Sequence, residues 1–230
     1  MNEPITAFLP CRKGSERVPR KNIRPFGSYG HGLVEIKLGQ LLACPEIDQI
    51  MLSTNDEEII DYAATLDRSR LKVHRRVEHL SSSATSTDDL VGHAHDLIGT
   101  GHILWTHVTS PFVDSKLYSD IIHVYRDALQ NGYDSLMTTT LLHAFLWSDE
   151  SPLNYDRTIE KWPRTQTLAP VHEINSAVFL APTEVYLRCE DRIGDRPLLY
   201  ALDKLRAMDV DWEEDFVVAE TLFTKKLVST

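Results

Sequence analysis

The sequence predicts an α/β fold: a three-layer, doubly wound sandwich built on a mostly parallel sheet. Two observations lead to this prediction. Short apolar stretches alternate with amphipathic helical patterns, and the helical patterns are long enough to connect parallel strands. The 230 residues are 42% hydrophobic and 25% charged, which is sufficient for one well-buried core. We therefore expect residues 1–230 to form a single domain.

The predicted elements follow one another in a regular order. The first five strands are Ile5 to Leu9, Gln49 to Ser53, Leu71 to His74, His102 to Val108 and Ser135 to Thr140. The helices between them are Leu33 to Ala43, Glu57 to Thr65, Thr87 to Ile98 and Ser115 to Asn131. A strand at Ala177 to Leu180, a helix from Thr183 and a helix at Trp212 to Thr224 complete the chain. Ligands of such sheets bind beyond the carboxyl ends of the strands.

The alternation stops between about Leu141 and Val171, where aromatic residues and three prolines occur without a clear period. About 30 irregular residues are too many for an ordinary connection, and such segments usually form a subdomain, a lid or an interface. We therefore interpret residues 141–175 as an inserted segment.

Charge and composition exclude several classes of protein. The chain has 24 Lys and Arg against 34 Asp and Glu, and its net charge of -10 disfavours binding to nucleic acids or to membrane surfaces. We find no apolar run near the roughly 20 residues of a membrane span and no signal-peptide pattern. The three cysteines lack metal-ligand spacing, as is usual for reduced thiols. We expect a cytoplasmic protein.

A basic segment, residues 9–22, follows the first predicted strand at the ligand-binding edge of the sheet. It contains five cations, a Gly-Ser turn and two prolines in an otherwise acidic chain. Turn amides and a mixture of Lys and Arg suit a triphosphate and its departing pyrophosphate. The candidate residues are Arg12, Gly14, Ser15, Arg17, Lys21 and Asn22. The alternative is an ordinary solvated basic loop.

The common phosphate, zinc and hydrolase motifs do not account for this segment. Lys21 is followed by asparagine, so it does not belong to a Walker A motif, and the Gly-x-Gly-x-x-Gly turn of dinucleotide-binding proteins does not occur. The histidines lack zinc spacing, and there is no Gly-x-Ser-x-Gly. A mononucleotide is the preferred ligand.

A pair of aspartates near the carboxyl end is the second candidate feature. Asp209 and Asp211 alternate at the period of a strand, so their side chains are expected to project in the same direction. Two such carboxylates suit Mg²⁺, whose other ligands come from water and phosphate. The alternative is that one of them only caps the helix predicted from Trp212.

Two further segments offer polar groups at the same edge. Thr109 and Ser110 follow the fourth predicted strand, although Thr-Ser-Pro is also an ordinary helix start. Arg76, Ser81 and Ser82 lie in a polar loop that can present a guanidinium and hydroxyls to a base. By itself this loop would pass for a solvated one.

Together these residues resemble the acylneuraminate cytidylyltransferases, which include the CMP-sialic acid synthetases. The matching motifs run in order along the chain: Arg12-x-Gly-Ser-x-Arg17-x-x-x-Lys21-Asn22, Ser-Thr-Asn-Asp-Glu-Glu-Ile from Ser53, Arg76 with Ser81-Ser82, Thr109-Ser110-Pro111, Arg164-x-Gln166, Asn175-Ser-Ala177 and Asp209-x-Asp211. The resemblance covers nearly the whole chain, and its N-terminal motif is specific.

The resemblance implies a Rossmann-like nucleotidyltransferase that joins CTP to an acidic 2-keto sugar with Mg²⁺ and releases pyrophosphate. It implies catalytic roles for Arg12, Lys21 and Asp211, with the metal on Asp209 and Asp211. The implied CTP-binding residues are Gly14, Ser15, Arg17, Asn22, Arg76, Ser81 and Ser82. The implied sugar-binding residues are His107, Thr109, Ser110, Arg164, Gln166 and Asn175. Residues 141–175 resemble the family's dimerisation arm, so a homodimer is expected.

Two departures concern the sugar side of the pocket. The sialic acid enzymes usually have glutamine where this chain has His107, and arginine where it has Glu173. Losing a cation and gaining an anion there should weaken carboxylate recognition, so the acceptor can be another nonulosonic acid, a Kdo-like acid or a phosphonate. The residues would also suit a catalytically silent CTP-binding homologue or a sugar-1-phosphate nucleotidyltransferase. The aspartate pair disfavours the first of these, and the single glycine of the loop disfavours the second.

Overall fold

The computed structural model describes residues 3–82 and 84–228. Its strands are β1 (Ile5–Pro10), β2 (Gln49–Thr54), β3 (Leu71–Arg75), β4 (His102–Trp105), β5 (Ser135–Leu142), β6 (Val171–Pro182) and β7 (Pro197–Leu202). Its helices are α1 (Gly32–Ala43), α2 (Glu57–Ala64), α3 (Thr87–Ile98), α4 (Ser115–Gln130), α5 (Thr183–Cys189) and α6 (Glu213–Thr224). Short 3₁₀ turns occur at Glu78–Leu80 and Thr165–Thr167.

One sheet contains all these strands in the order β3-β2-β1-β4-β6-β5-β7. Its pairs are parallel except those of β6, which runs antiparallel to both β4 and β5. The predicted mostly parallel sheet is therefore confirmed. Because β6 is reversed, its amino-terminal part lies at the edge where the parallel strands end.

Helices cover both faces of the sheet, as the sequence predicted. One apolar cluster includes Leu33 of α1, Ile121 of α4 and Phe216 of α6, all buried against the sheet. The opposite cluster includes Phe8 and Trp105 from the strands, with residues of α3 and α5 packed on them. Burying side chains of this size contributes about 1.5–3 kcal/mol each, so the two clusters drive formation of the three layers.

Local capping groups set the starts of the predicted helices. Asp56 accepts the amide of Glu58 at the start of α2 (3.1 Å), and Asp114 accepts the amide of Leu117 at the start of α4 (2.7 Å). Caps of this kind contribute about 1 kcal/mol each. Because such capping residues are visible in the sequence, the predicted helix starts agree with the observed ones within one or two residues.

The structure corrects two predicted strands and shows one that was not predicted. Strand β6 begins at Val171 and not at Ala177, so residues 171–175 of the segment interpreted as inserted belong to the sheet. The strand predicted from His102 to Val108 ends at Trp105, because the chain leaves the sheet there and turns over residues 108 and 109. Strand β7 was not predicted, although it pairs along its whole length with β5. Residues 143–170 are mostly irregular, as expected. None of the helices described is long and apolar enough to cross a bilayer.

Candidate active site

The basic segment folds back on itself at the carboxyl end of β1. Val18 is fully buried and anchors the middle of the segment in the core. The side-chain amide of Asn22 donates to the carbonyl of Arg12 (3.0 Å), and Arg12 donates to the carbonyl of Gly14 (3.1 Å). Gly14 has φ of +81°, a conformation that glycine adopts without strain. The segment is thus a folded loop and not a loose solvated one.

Ion pairs join this loop to the aspartates near the other end of the chain. Lys21 donates from Nζ to the carbonyl of Val210 (2.7 Å) and to Oδ1 of Asp211 (3.2 Å). Arg17 donates from Nη2 to the same Oδ1 (2.9 Å). The side chain of Lys21 is 10% exposed and that of Arg17 is 48% exposed. Lys21 is therefore held in place from several sides, whereas Arg17 lies at the surface.

Both regions line one cavity of about 520 Å³ at the carboxyl edge of the sheet. The predicted site residues that line it are Arg12, Ser15, Arg17, Lys21, Asn22, His107, Thr109, Asp209 and Asp211. The cavity is also lined by Pro10, Glu16, Val108 and Ser176, which the sequence did not single out as site residues. Gly14 lies in a small cleft beside it with Arg12 and Ser15.

Neither Asp209 nor Asp211 caps helix α6, which was the alternative role for them. Oδ2 of Asp215 accepts the amides of Trp212 (2.8 Å) and Asp211 (3.1 Å), so Asp215 caps α6. The segment around Val210 is not a strand, contrary to the prediction. Val210 is nevertheless fully buried, and its amide donates to the carbonyl of Thr109 (2.8 Å). Its neighbours on either side line the cavity.

Asp209 is the more buried of the two aspartates. Burial raises its pKa, the charge of Asp211 raises it further, and the hydroxyl of Thr109 and the charge of Lys21 act in the opposite direction. Within the described residues, its buried Oδ1 has no hydrogen-bond partner. A carboxylate oxygen without a donor, beside a second carboxylate, is the kind of hard ligand set that Mg²⁺ takes. The residues present therefore fit this metal.

His107 lies at the end of β4 with both ring nitrogens engaged. Trp105 donates from Nε1 to Nε2 of His107 (3.0 Å), and Nδ1 lies 2.9 Å from the carbonyl of Ser176. Because the tryptophan nitrogen can only donate, Nδ1 carries the proton and donates to Ser176. Burial lowers the pKa of His107 to about 4, so the ring is neutral near pH 7. Neither nitrogen is available to accept a proton from a substrate.

Comparison with known proteins identifies the family. A model of the cytidylyltransferases matches residues 6–186, well over half of the chain. The chain belongs to the cytidylyltransferase family. It is therefore a nucleotidyltransferase, and the resemblance found in the sequence is confirmed.

The relatives of this cytidylyltransferase include enzymes of two kinds. A pseudaminic acid cytidylyltransferase of Campylobacter jejuni is 24% identical over 223 residues, which cover 94% of each chain. An N-acylneuraminate cytidylyltransferase of Streptococcus agalactiae is 27% identical over 226 residues, which cover 94% of this chain and 52% of the relative. Among solved structures, a CMP:2-keto-3-deoxy-manno-octonic acid synthetase complexed with CTP has a TM-score of 0.67 at 13% identity, covering 97% of this chain and 99% of its own. At this low identity, the comparison with the solved structure supports only the fold.

Three other predicted residues of the cytidylyltransferase, Arg76, Ser81 and Ser82, do not line this cavity. Arg76 is buried and donates from Nη2 to the carbonyl of Ser53 (2.6 Å), and burial lowers its pKa to about 10. Ser81 donates to the carbonyl of Val77 (3.1 Å). Ser82 lies 3.1 Å from the hydroxyl of Thr85. This loop is therefore tied together by its own hydrogen bonds.

The remaining predicted residues fall into two groups. Ser110 and Asn175 are buried, and Asn175 accepts from Thr138 (2.6 Å) and donates to Thr140 (3.2 Å), which ties β6 to β5. Arg164 and Gln166 are exposed in and beside a 3₁₀ turn and do not line the cavity of their own chain.

Ser176 lines the cavity but was not among the site residues predicted from the sequence. It lies within the Asn175-Ser-Ala177 motif. Its position depends on the antiparallel direction of β6, which brings it beside His107. Its place within this motif was the feature of the sequence that could have identified it.

Proposed function

We propose that this cytidylyltransferase joins CTP to an acidic 2-keto sugar of the nonulosonic type and releases pyrophosphate. The observation that carries the proposal is the shared cavity, in which Lys21 and Arg12 face Asp209 and Asp211. Cations and carboxylates that line one cavity suit a triphosphate with a divalent metal. The names of the relatives, which specify pseudaminic acid and N-acylneuraminate, support the acceptor class.

Arg12, Ser15 and Arg17 are proposed to bind the triphosphate. The pair between Arg17 and Asp211 is exposed, and exposed pairs contribute only about 0–1 kcal/mol. A phosphate oxygen can therefore replace the carboxylate on Arg17 at small cost. Asn22 lines the same cavity and is expected to contact the nucleotide.

The proposed reaction is an in-line displacement at the α-phosphorus of CTP. The anomeric hydroxyl of the sugar forms the new P–O bond and gives up its proton to water, the bond from the α-phosphorus to the bridging oxygen breaks, and pyrophosphate leaves. Such reactions depend on alignment and on neutralisation of charge. Lys21 is suited to this task because its buried ammonium keeps a fixed position.

Asp209 and Asp211 are the residues proposed to hold Mg²⁺, since they fit it by their chemistry and their common cavity. The ion, when bound, would supply positive charge on the α-phosphate side. Asp211 is already surrounded by Lys21 and Arg17, which restrain its orientation.

Arg76, Ser81 and Ser82 are proposed to read cytosine and ribose. Their loop is stiffened by hydrogen bonds to Ser53 and Val77, and it lies close enough to the basic loop for Arg12 to lower the pKa of Arg76. On the acceptor side, Thr109, Ser110 and Asn175 are expected to lie near the sugar, with His107 as part of the cavity wall.

Residues 141–175 are proposed to form the arm of a homodimer. Trp147, Leu153, Ile159 and Trp162 are 49–85% exposed there, and apolar side chains exposed together often mark an interface. Arg164 and Gln166 lie outside the cavity of their own chain, which is consistent with action at the partner's site. The three free cysteines support the cytoplasm as the location.

Pyrophosphate release tests the function directly. The wild-type protein is assayed with each of the four nucleoside triphosphates against N-acetylneuraminate, pseudaminate, Kdo and 2-aminoethylphosphonate, with Mg²⁺ and with EDTA. We expect release with CTP and one acidic sugar, and loss of release with EDTA.

Two results would contradict the proposal. Turnover with the phosphonate alone would assign the chain to a different acceptor class, and CTP binding without release from any acceptor would reject the proposed reaction. Asp211→Asn serves as the matched inactive control in every combination, because it preserves the size of the side chain.

A further inference from the structure

Strand β6 contains a large bulge beside the cavity. In the ladder between β5 and β6, one residue of β5, Thr138, faces four residues of β6, residues 175–178. The regular pairs on either side of this gap are Met137 with Phe179 and Thr139 with Ile174. Bulges bend a strand and redirect its side chains, and they are common beside active sites. We therefore asked what holds this one in place.

The side chain of Thr138 fills the gap that the bulge leaves in the ladder. Its hydroxyl accepts the amide of Val178 (2.9 Å) and donates to Oδ1 of Asn175 (2.6 Å). The same Oδ1 accepts the amide of Ala177 (3.3 Å), and Nδ2 of Asn175 donates to Thr140 (3.2 Å). Thr138 is fully buried and Asn175 is 9% exposed, so these polar groups depend on one another for hydrogen bonds. The two side chains therefore hold the bulge in one shape.

The bulge also has partners on the β4 side. The hydroxyl of Thr106 donates to the carbonyl of Ala177 (2.7 Å), and Nδ1 of His107 donates to the carbonyl of Ser176 (2.9 Å). Of the four bulge residues, Ser176 is the one that is not buried, and it lines the cavity together with His107. Its hydroxyl helps to lower the pKa of Asp209, so it lies near that carboxylate. The bulge therefore presents Ser176 to the cavity and keeps its neighbours in the core.

We infer that Thr138 and Asn175 are positioning residues, which place Ser176 in the cavity wall and thereby set how well the acceptor is used. The inference rests on the proposed function, which assigns this wall to the acceptor. A regular ladder would have no extra residues at this point, so the wall depends on the bulge and on the side chains that hold it. Asn175 does not line the cavity, and its amide oxygen already accepts two hydrogen bonds inside the bulge, so it acts through Ser176.

Thr138→Val and Thr138→Ser test the inference by steady-state kinetics. Valine keeps the shape of threonine without its hydroxyl, whereas serine keeps the hydroxyl. The acceptor is the acidic sugar that the wild type uses among N-acetylneuraminate, pseudaminate and Kdo. In Thr138→Val we expect kcat/KM for the acceptor to fall about 10- to 100-fold, because small displacements of positioning groups have effects of this size, while the KM for CTP stays within about twofold. Thr138→Ser should recover most of the loss.

Thr139→Val is the matched control. Thr139 is the next residue of β5, is equally buried and bonds His172 through its hydroxyl (2.8 Å), but it lies outside the bulge and does not line the cavity. It should keep wild-type values for both substrates. Thermal unfolding of each variant checks the fold. If Thr138→Val does not fold, Thr140→Val decides, because it removes the hydroxyl that accepts from Asn175 and should lower the same kcat/KM about 2- to 10-fold.

An NMR measurement reports on the wall in the absence of any substrate. The Nδ1 proton of His107 is donated to the carbonyl of Ser176, so its signal follows the position of that carbonyl. His107→Gln identifies the signal by removing it. We expect the signal to shift in Thr138→Val and to keep its wild-type position in Thr139→Val.

The outcomes separate the two proposals. A wild type that releases no pyrophosphate with any acidic sugar rejects the proposed function, and with it the role of the bulge in acceptor use. An active wild type whose Thr138→Val variant keeps its kcat/KM for the acceptor, or its His107 signal, rejects only the positioning role. Equal losses for CTP and for the acceptor, or equal losses in Thr139→Val, indicate a general structural effect and also overturn it.

Discussion

The two ends of the cavity, to which the proposed function assigns the nucleotide and the acceptor, are built differently. At the nucleotide end, Arg12, Ser15 and Lys21 come from one short loop whose hydrogen bonds are mostly internal. At the acceptor end, His107 and Ser176 come from separate strands, and their contacts with each other fix the wall. A local motif therefore builds one end of the cavity, whereas contacts between distant segments build the other.

The largest expected effect is that of Lys21→Met at the nucleotide end. Loss of one fixed charge that stabilises the transition state lowers kcat about 10²- to 10³-fold. Arg17→Met is the matched comparison, because Arg17 binds the same oxygen of Asp211 from the surface. It should lower kcat/KM for CTP about tenfold or less. Single-turnover measurements give the rate of the chemical step in both variants. Equal losses of this rate would contradict the distinction between Lys21 as a fixed cation and Arg17 as an exchangeable one.

Asp209→Asn should reduce turnover about a hundredfold or more at any Mg²⁺ concentration, because it removes a ligand charge. The raised pKa of Asp209 adds a pH effect, since the carboxylate form is required. Because protons compete with Mg²⁺ for this carboxylate, the Mg²⁺ concentration needed for half-maximal activity should rise as the pH drops through the raised pKa. Thr109→Val removes a hydroxyl that lowers this pKa, so its Mg²⁺ requirement should begin to rise at a still higher pH. A Mg²⁺ requirement that does not change with pH would argue against Asp209 as the titrating group.

The arm provides a test at the acceptor end. Ile159→Ser with Trp162→Ser removes two large exposed apolar side chains, which are typical anchors of interfaces. We expect a shift from dimer to monomer in sedimentation and a rise of about tenfold in the acceptor KM, with CTP binding unchanged. Leu187→Ser is the control, because Leu187 is also exposed but lies on α5. A wild type that is monomeric at all concentrations would reject the proposed homodimer.

The smallest effect concerns stability against acid. Burial lowers the pKa of His93 to about 4 from a usual value of 6.5, so the unfolded chain binds protons that the folded chain does not. Stability should therefore be lost as the pH falls from 6.5 towards 4. The free energy of unfolding of His93→Gln should therefore fall less than that of the wild type, by a difference on the order of 1 kcal/mol at about pH 5. Urea unfolding at about pH 7 and about pH 5 measures the difference, and an unchanged pH dependence would exclude His93 as its source.

Prediction from the sequence succeeded where the signal is local. Periodicity and caps such as Asp56 and Asp114 marked the helices, and the charge pattern of the basic loop indicated a segment that does line the cavity. It failed at the end of β4 and at β7, because both depend on pairing and turns set by distant parts of the chain.

The sequence by itself determined the order of the elements, the layers of the sheet and the charge of the basic loop, because these follow from the nature and spacing of neighbouring residues. Only the tertiary structure brought Lys21 to Asp211 across 190 residues, held His107 neutral and left Asp209 with a buried oxygen that lacks a donor among the described residues. These properties arise from burial and from the direction of β6, which short-range patterns do not specify.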